Sequence, residues 1–488
     1  MVPAQAGVEL FAYCFASAPG VANVMLLSVA DAPVIFERQS EMRLVGTGHW
    51  PVPAGDSPGG TEKGPARKND VLSQITTSAI PVGGSPTGTG GSPVPPRVQK
   101  ISLPCEIAGQ FRGRADRDWF TFDAKKGQAY WIEVVSHRLG LPTDPLVVIQ
   151  RISGDRANDV LELNDSEANI GGAEFNTTHR DPSGKFDVKE DGTYRLLIRD
   201  LFAQARPDPR LVYHLSIRKV APDFRLATLP QAPPAKKDAK DIFVAPLALR
   251  RGETVAAKVL AWRRDGFDGE IAVTADELPT GVRAAPCRIE SGKNSALLFL
   301  TGAEDATISS GTVIVHGSAA IGDTNVSRTA TPATLIWGTA DPANEAAVAR
   351  VAATSTLSLA EDAMPVRVHA ASNVIETVAG KTVKINFLID RQKSFSGTVK
   401  LKPVGLAALD LPDVDVDAKA TNLVLQIDLR EKKVPVGTHV FALQGSAQGK
   451  TTSDDKKKSK DTALTFYSAP IVLRVNPAPP AQTNSPAK

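Results

Sequence analysis

Acidic and amide side chains are the residues in this sequence whose type and spacing could bind a cofactor. Several of them lie in short polar stretches between apolar ones: Asp116, Asp118, Asn164, Asp165 and Asp187. Carboxylate and amide oxygens are the hard ligands that Ca²⁺ prefers. The same residue types also accept backbone hydrogen bonds in ordinary turns. The pattern therefore leaves two interpretations open, a calcium site or turn chemistry, and calcium is the one cofactor that it suggests.

Catalytic chemistry has no comparable pattern. The seven histidines lie in strand-like stretches or loops without a nucleophile signature nearby: His49, His137, His179, His214, His316, His369 and His439. Three of these, His214, His316 and His439, alternate with apolar neighbours, which predicts the solvent faces of strands. The sequence also lacks the hydrolase, zinc-protease, phosphate-loop and dinucleotide-binding motifs. We therefore predict that the chain is not an enzyme.

Aromatic residues give a second kind of candidate site. Stacking on a sugar or on collagen needs a flat amphipathic ring, and Trp131, Trp262 and Trp337 are candidates for such a face. The cysteines are different, because Cys14, Cys105 and Cys287 are too far apart for a metal-ligand spacing or a disulfide framework. We interpret them as small buried residues.

Length and composition limit the number of domains and the type of secondary structure that can position these residues. At 488 residues the chain exceeds one hydrophobic core. Its 38 glycines and 36 prolines favour many short strands joined by turns. The 56 basic and 53 acidic residues are scattered, with a net charge of +3, which argues against a nucleic-acid partner. No apolar run reaches the roughly 18 to 20 residues of a membrane-spanning helix, so no membrane span is predicted.

Strands are predicted by a period of two in the apolar residues. Alternation is clear in Tyr130 to Val134, Tyr194 to Ile198 and Tyr213 to Ile217, and again in Val383 to Ile389 and Leu423 to Leu429. Regular short strands of this kind indicate an all-β chain of tandem β-sandwiches.

Polar stretches rich in proline and glycine predict the domain boundaries. The predicted segments are a partial β module at 1–36, which would be the last hairpin of a truncated domain, a linker or insertion at 37–97, a β-sandwich at 98–220, a linker at 221–241, two further β-sandwiches at 242–340 and 341–477, and a disordered tail at 478–488.

The segment from Ile101 to Lys219 resembles the bacterial pre-peptidase C-terminal domain. The motifs that carry this resemblance are LPCEIAGQF, RDWFTFDAKKGQ, IEVVSHRLGLPTDPLVVI, LELND and EDGTYRLLIRD. The resemblance implies a jelly-roll-like sandwich and a secreted or surface protein, and relatives in bacterial collagenases bind calcium. The family's opening motif is matched by Glu37 and by Asn69-Asp70, with an insertion of about thirty residues between them.

The residues from Gly266 to Ile271 and from Leu278 to Val282 are similar to immunoglobulin-like modules of planctomycete-type surface proteins. Arg391 to Leu401 repeats that theme. The complete expectation is a jelly-roll-like domain followed by two immunoglobulin-like sandwiches, with disordered linkers.

These features predict a non-catalytic accessory protein that is secreted, periplasmic or on the cell surface and that binds an extracellular polymer or a partner protein. Two alternatives stay open: the C-terminal part of a larger secreted protease, and a structural spacer without a ligand. The absence of Lys or Arg before Arg38 makes Met1 to Ala18 a poor signal peptide and favours the first alternative. The sequence does not indicate an oligomeric state.

Overall fold

The structure is a computed structural model. The described residues are 10–17, 20–28, 34–36, 98–112, 116–166, 168–202, 208, 210–231, 247–336, 348–406, 409, 411–452 and 459–478. In these ranges the regular elements are β-strands and one short 3₁₀ helix. The all-β sandwich class predicted from the sequence is confirmed. The chain divides into two compact units, Met1–Glu167 with Thr178–Val220 and Ala168–Thr177 with Ala221–Lys488.

The first unit contains twelve strands among its described residues. They are β1 (Leu10–Ser17), β2 (Gly20–Ser28), β3 (Val34–Phe36), β4 (Val98–Lys100), β5 (Cys105–Gln110), β6 (Asp118–Ala124), β7 (Ala129–Val135), β8 (Pro145–Ser153), β9 (Arg156–Leu163), β10 (Ser183–Asp187), β11 (Gly192–Asp200) and β12 (Val212–Lys219), with the 3₁₀ helix at His137–Leu139 between β7 and β8.

Two five-stranded sheets enclose the core of the first unit, in the orders β10-β7-β12-β5-β3 and β4-β6-β11-β8-β9. Every second residue of a strand faces the core. Tyr130, Ile132 and Val134 of β7 are buried, as are the alternating residues of β11 and β12. The predicted alternation is therefore confirmed in these three strands.

The two sheets gain edge strands from either side of the predicted insertion. β3 pairs in parallel with β5, and β4 pairs in parallel with β6. The predicted hairpin near the start of the chain is present, because β1 and β2 pair antiparallel. β3 differs from the predicted separate module at 1–36, since it adds to the sandwich of the first unit. Residues 37–97 lie outside the described residues.

The second unit contains the remaining strands. They are β13 (Asp223–Pro230), β14 (Leu247–Arg251), β15 (Thr254–Arg264), β16 (Ile271–Asp276), β17 (Val282–Ala284), β18 (Cys287–Ile289), β19 (Ser295–Gly302), β20 (Ser309–Thr312), β21 (Ile314–Ile321), β22 (Thr324–Thr329), β23 (Thr331–Ile336), β24 (Val348–Val351), β25 (Thr356–Ala363), β26 (Val366–Ala370), β27 (Val374–Val378), β28 (Thr382–Arg391), β29 (Phe395–Val404), β30 (Val414–Val416), β31 (Asn422–Asp428), β32 (Gly437–Thr452), β33 (Ser459–Tyr467) and β34 (Ile471–Asn476).

One large sheet runs through the second unit in the order β24-β23-β13-β15-β33-β32-β29-β30, and smaller sheets pack against it. Two separate apolar cores result, one around Phe224 and Leu300 and the other around Phe387 and Phe441. The sheet is continuous between the two cores because β15 pairs with β33 at Thr254 and Tyr467.

The predicted linker at 221–241 contains a strand in its first half. Residues 223–230 form β13, which pairs with β15 along its whole length. Phe224, Leu226 and Leu229 are buried, and the prolines at 222 and 230 lie just before the strand and at its last residue. Proline at a strand end costs no ladder hydrogen bond, so the proline content did not exclude a strand here.

Candidate functional site

The outward face of the sheet β10-β7-β12-β5-β3 carries a tryptophan near its middle. Trp131 follows the buried Tyr130 on β7, so its ring lies on the face away from the core and is partly exposed. Its cross-strand neighbours are Lys185 on β10 and Arg218 on β12. In the described part of the chain, no aromatic ring or cation stacks on Trp131. We call Trp131, Glu133, Lys185 and Arg218 the Trp131 face.

The other tryptophans are placed differently. Trp262 packs edge-on against Phe175, with the ring centroids 5.9 Å apart, and belongs to an apolar cluster of the second unit. Trp119, which the sequence did not single out, has the guanidinium of Arg195 4.6 Å above its ring. Trp337 lies outside the described residues. Of the two stacking candidates among the described residues, Trp131 is therefore the one that is partly exposed without a stacked partner.

A buried carboxylate fixes the backbone next to the Trp131 face. The side chain of Asp181 is fully buried and accepts the backbone N–H groups of Ser136, His137 and Arg138 at 2.9, 2.6 and 2.9 Å. It also accepts from Arg138 Nε at 2.9 Å. These charge-assisted bonds hold the 3₁₀ helix that follows β7.

Arg138 extends the same network onto the Trp131 face. Its Nη1 lies 2.9 Å from Glu133 Oε1, and Arg218 Nη2 lies 4.0 Å from the other oxygen of Glu133. The polar side chains beside Trp131 are thus ordered before any ligand binds. Sequence reasoning missed Asp181 because no local pattern connects it to residues more than forty positions earlier.

The three strand histidines that were predicted to face solvent behave in two ways. His214 lies on the outer face of its sheet with Nε2 2.6 Å from Glu106, and His316 is also partly exposed, 3.6 Å from Asp276. For His439 the prediction is wrong, because the residue is only 5% exposed. Its outward side meets other strands of the second unit instead of water.

The predicted calcium ligands make contacts typical of turns and strand ends. Asp116 accepts the backbone N–H groups of Arg112 at 2.6 Å and Arg117 at 3.1 Å. Asp118 accepts the hydroxyl of Tyr213 at 2.8 Å. Asp187 pairs with Lys185 at 2.9 Å. Asn164 and Asp165 are exposed after β9.

A metal site is not formed by these side chains alone. Within the described ranges, no group of three or more His, Cys, Asp or Glu side chains could hold a metal ion. Glu37, Asn69 and Asp70 of the family-like opening lie outside the described residues. The calcium assignment stays a prediction.

One of the candidates belongs to a carboxyl cluster that the sequence did not show. Burial, together with the charge and hydrogen bond of Asp165, raises the pKa of Asp144 to about 6, although Arg180 opposes this and Asp200 adds to it. The backbone N–H of Asp144 donates to Asp200 Oδ1 at 2.8 Å. Among the described residues, Asp144 Oδ1 and Asp200 Oδ2 are buried without a hydrogen-bond partner. A retained proton lowers the charge of this cluster.

The described cysteines are free thiols. Cys105 is fully buried and Cys287 partly buried. Burial raises the thiol pKa of Cys105 to about 11, with Glu106 adding to the shift, and that of Cys287 to about 12. Both thiols are therefore protonated and unreactive at neutral pH, as expected for packing residues. The side chain of Cys14 lies outside the described residues.

The comparisons with known proteins concern only part of the chain. No family model and no curated protein matches the sequence. Among solved structures, the chain is similar to the pre-peptidase C-terminal domain of a collagenase from Bacillus anthracis, at 19% identity and a TM-score of 0.20, over 26% of this chain and 100% of that domain. At this TM-score the similarity carries no argument about this chain, and the pre-peptidase-like domain and the immunoglobulin-like modules stay predictions.

Among the described residues, no helix is long and apolar enough to cross a membrane.

Proposed function

We propose that this chain is a non-catalytic, extracellular accessory protein that binds a polymer or a partner protein through the Trp131 face. The observation that carries the proposal is the partly exposed ring of Trp131, which has no stacked partner, on the outward side of a sheet. An indole ring combines a flat apolar surface with one N–H donor, which suits stacking on sugar rings or on a proline-rich chain.

The polar residues around Trp131 support a binding role for this face rather than a purely structural one. Lys185 and Arg218 lie directly opposite Trp131 on the two neighbouring strands, and Glu133 holds Arg218 and Arg138 in place. Donors and acceptors therefore surround the ring on a rigid sheet. Such preorganisation lowers the entropy cost of binding an extended ligand.

The experiment is a retention assay of the full chain on insoluble chitin, cellulose and fibrillar collagen. We expect retention on one of these, and we expect Trp131→Ala to weaken it by about 2 kcal/mol, or roughly thirtyfold in Kd, because central aromatic residues dominate binding surfaces. The matched control is Trp119→Ala, since the ring of Trp119 is already covered by Arg195.

The two alternatives predict other outcomes. A structural spacer should be retained on none of the three materials, and both variants should then behave as the unchanged chain. Equal loss in the two variants would show that general destabilisation, rather than Trp131, governs retention. A role as part of a larger secreted protease is compatible with binding, and it is tested separately by sequencing the coding region upstream of Met1.

A further inference from the structure

A cavity of about 210 Å³ lies in the second unit, lined by several residues between Glu270 and Leu297, by Gly405 and Leu406, and by the start of β32. Its volume is below the roughly 300 Å³ at which sites for drug-sized ligands begin. It therefore has room for one small group. Its charged and titratable lining residues are Glu270, Arg288, Glu290, Cys287 and His439.

His439 presents an acceptor to this cavity. Its Nε2 lies 2.7 Å from the carbonyl oxygen of Pro435. Because a carbonyl can only accept, Nε2 carries the proton and Nδ1 of the neutral ring is left as an acceptor. His439 as a whole is 5% exposed, and it is one of the residues that line the cavity.

Glu290 provides a second hydrogen-bond acceptor close to His439 Nδ1. Its Oε1 lies 3.9 Å from His439 Nδ1, which is beyond hydrogen-bond distance. The two atoms are close enough for one donor nitrogen, placed beside the line that joins them, to reach both. The side chain of Glu290 is 43% exposed, so a ligand can reach this point from solvent.

The charges of the cavity favour a cation. Arg288 Nη1 lies 3.4 Å from Glu270 Oε2, so these two side chains balance each other. Glu290 is the remaining acidic residue of the lining.

We propose that this cavity binds a primary alkylammonium group. The ammonium donates one N–H to His439 Nδ1 and another to Glu290 Oε1, while the carbon chain packs on Leu297, Leu406 and Val440 of the lining. Charge-assisted hydrogen bonds of this kind are about twice as strong as neutral ones. The site is separate from the proposed function, since it lies in the second unit and does not use Trp131.

Ligand-observed saturation-transfer NMR on the full chain tests this directly, with n-butylammonium as the probe and 1-butanol as its neutral match. We expect transfer to n-butylammonium at millimolar concentration and little to 1-butanol. Nα-acetyl-lysine amide forms a further arm. If Nα-acetyl-lysine amide binds, a lysine side chain of a peptide can supply the ammonium group. If only n-butylammonium binds, the site accepts free amines and not peptide lysines. Both results support the proposal.

Glu290→Gln should weaken n-butylammonium binding about tenfold or more, because the ligand loses its charged acceptor. The control Asp305→Asn removes an exposed carboxylate elsewhere in the second unit and should leave the affinity unchanged. A thermal melt of each variant verifies folding, which the partial exposure of Glu290 favours. Unchanged affinity in Glu290→Gln, equal binding of 1-butanol, or no transfer to n-butylammonium would overturn the proposal.

Discussion

The two units are built from the same kind of strand, but their interiors differ. The first unit has one main core between two five-stranded sheets, and it buries the charge of Asp181 beside the Trp131 face. The second unit has two cores, and an apolar cluster of Ala256, Phe299 and Ala442 lies between them. Charged hydrogen bonds thus organise the face proposed to bind, whereas apolar packing joins the two halves of the second unit.

The largest effect is expected from the cluster that joins the two cores. Phe299 is 1% exposed, and its ring centroid lies 6.0 Å from that of Tyr467. Phe299→Ala should destabilise the second unit by about 3 to 5 kcal/mol, as for other buried Phe truncations. Denaturant unfolding of the full chain, followed by hydrogen exchange in β15 and β32, measures this loss.

Phe299→Leu is the matched control, since it keeps most of the apolar volume and should cost less than half as much. Both cores should lose protection together in Phe299→Ala, because β15 and β33 pair in one sheet. Loss of protection confined to β15 and its neighbours would contradict the view that the two cores form one cooperative unit.

The next largest effect is a loss of stability in the first unit, caused by removal of the buried Asp181 carboxylate. Asp181→Ala removes the acceptor of three backbone N–H groups and of Arg138 Nε. We expect a loss of about 3 kcal/mol in the first unit, because buried donors are left unpaired. Asp187→Ala, which removes an exposed ion pair with Lys185, should change stability by less than about 1 kcal/mol.

The sequence predicted the strands best where one face of a strand meets a core and the other meets water. β7 and β12 come closest to that rule, and the core-facing residues of β7, β11 and β12 were predicted; Leu197 of β11 is buried as well, in a second apolar cluster. β15 does not, because Val259 belongs to one apolar cluster while Leu260 belongs to another. A strand buried on both faces shows a continuous apolar run instead of alternation, so its position inside the second unit was not visible.

The candidate sites were predicted less well, for a reason of sequence distance. Trp131 was one of the three tryptophans predicted as stacking candidates. The bonds from Asp181 to the turn after β7 and the approach of Glu290 to His439 join residues that are far apart in sequence. Such pairs depend on sheet register and on packing between strands, which local patterns do not contain.

A smaller effect should appear as a pH dependence in the first unit. The pKa of Asp144 is raised to about 6 in the folded chain, so the folded state holds this proton more tightly than the unfolded state. Its stabilising contribution is present below about pH 4 and is lost as the pH rises through about 6. Asp144→Asn should therefore make the Tm of the first unit less dependent on pH between 4 and 7.

Differential scanning calorimetry at several pH values measures this difference. The matched control is Asp123→Asn, because hydrogen bonds from Thr193 and Lys100 lower the pKa of that exposed carboxyl. An Asp144→Asn chain whose Tm follows the wild-type pH profile would show that the Asp144 carboxyl is ionised throughout.

The smallest effect is expected from calcium. Asp116 already accepts two backbone N–H groups, and Asp187 already pairs with Lys185. We therefore expect 5 mM CaCl₂ to change the Tm of the first unit by less than about 1 °C relative to a chelator. A saturable rise that is lost in Asp116→Asn would instead establish the calcium site predicted from the sequence.

The central claim is that the first unit binds its ligand through the open ring of Trp131. The most direct test compares retention of the unchanged chain, Trp131→Ala and Trp119→Ala on chitin, cellulose and collagen at equal protein concentration. We predict that Trp131→Ala alone loses retention, at a temperature where thermal melts show all three proteins folded; Trp119→Ala should melt lower because it loses packing on Leu146 and Leu197. Full retention of Trp131→Ala would contradict the claim.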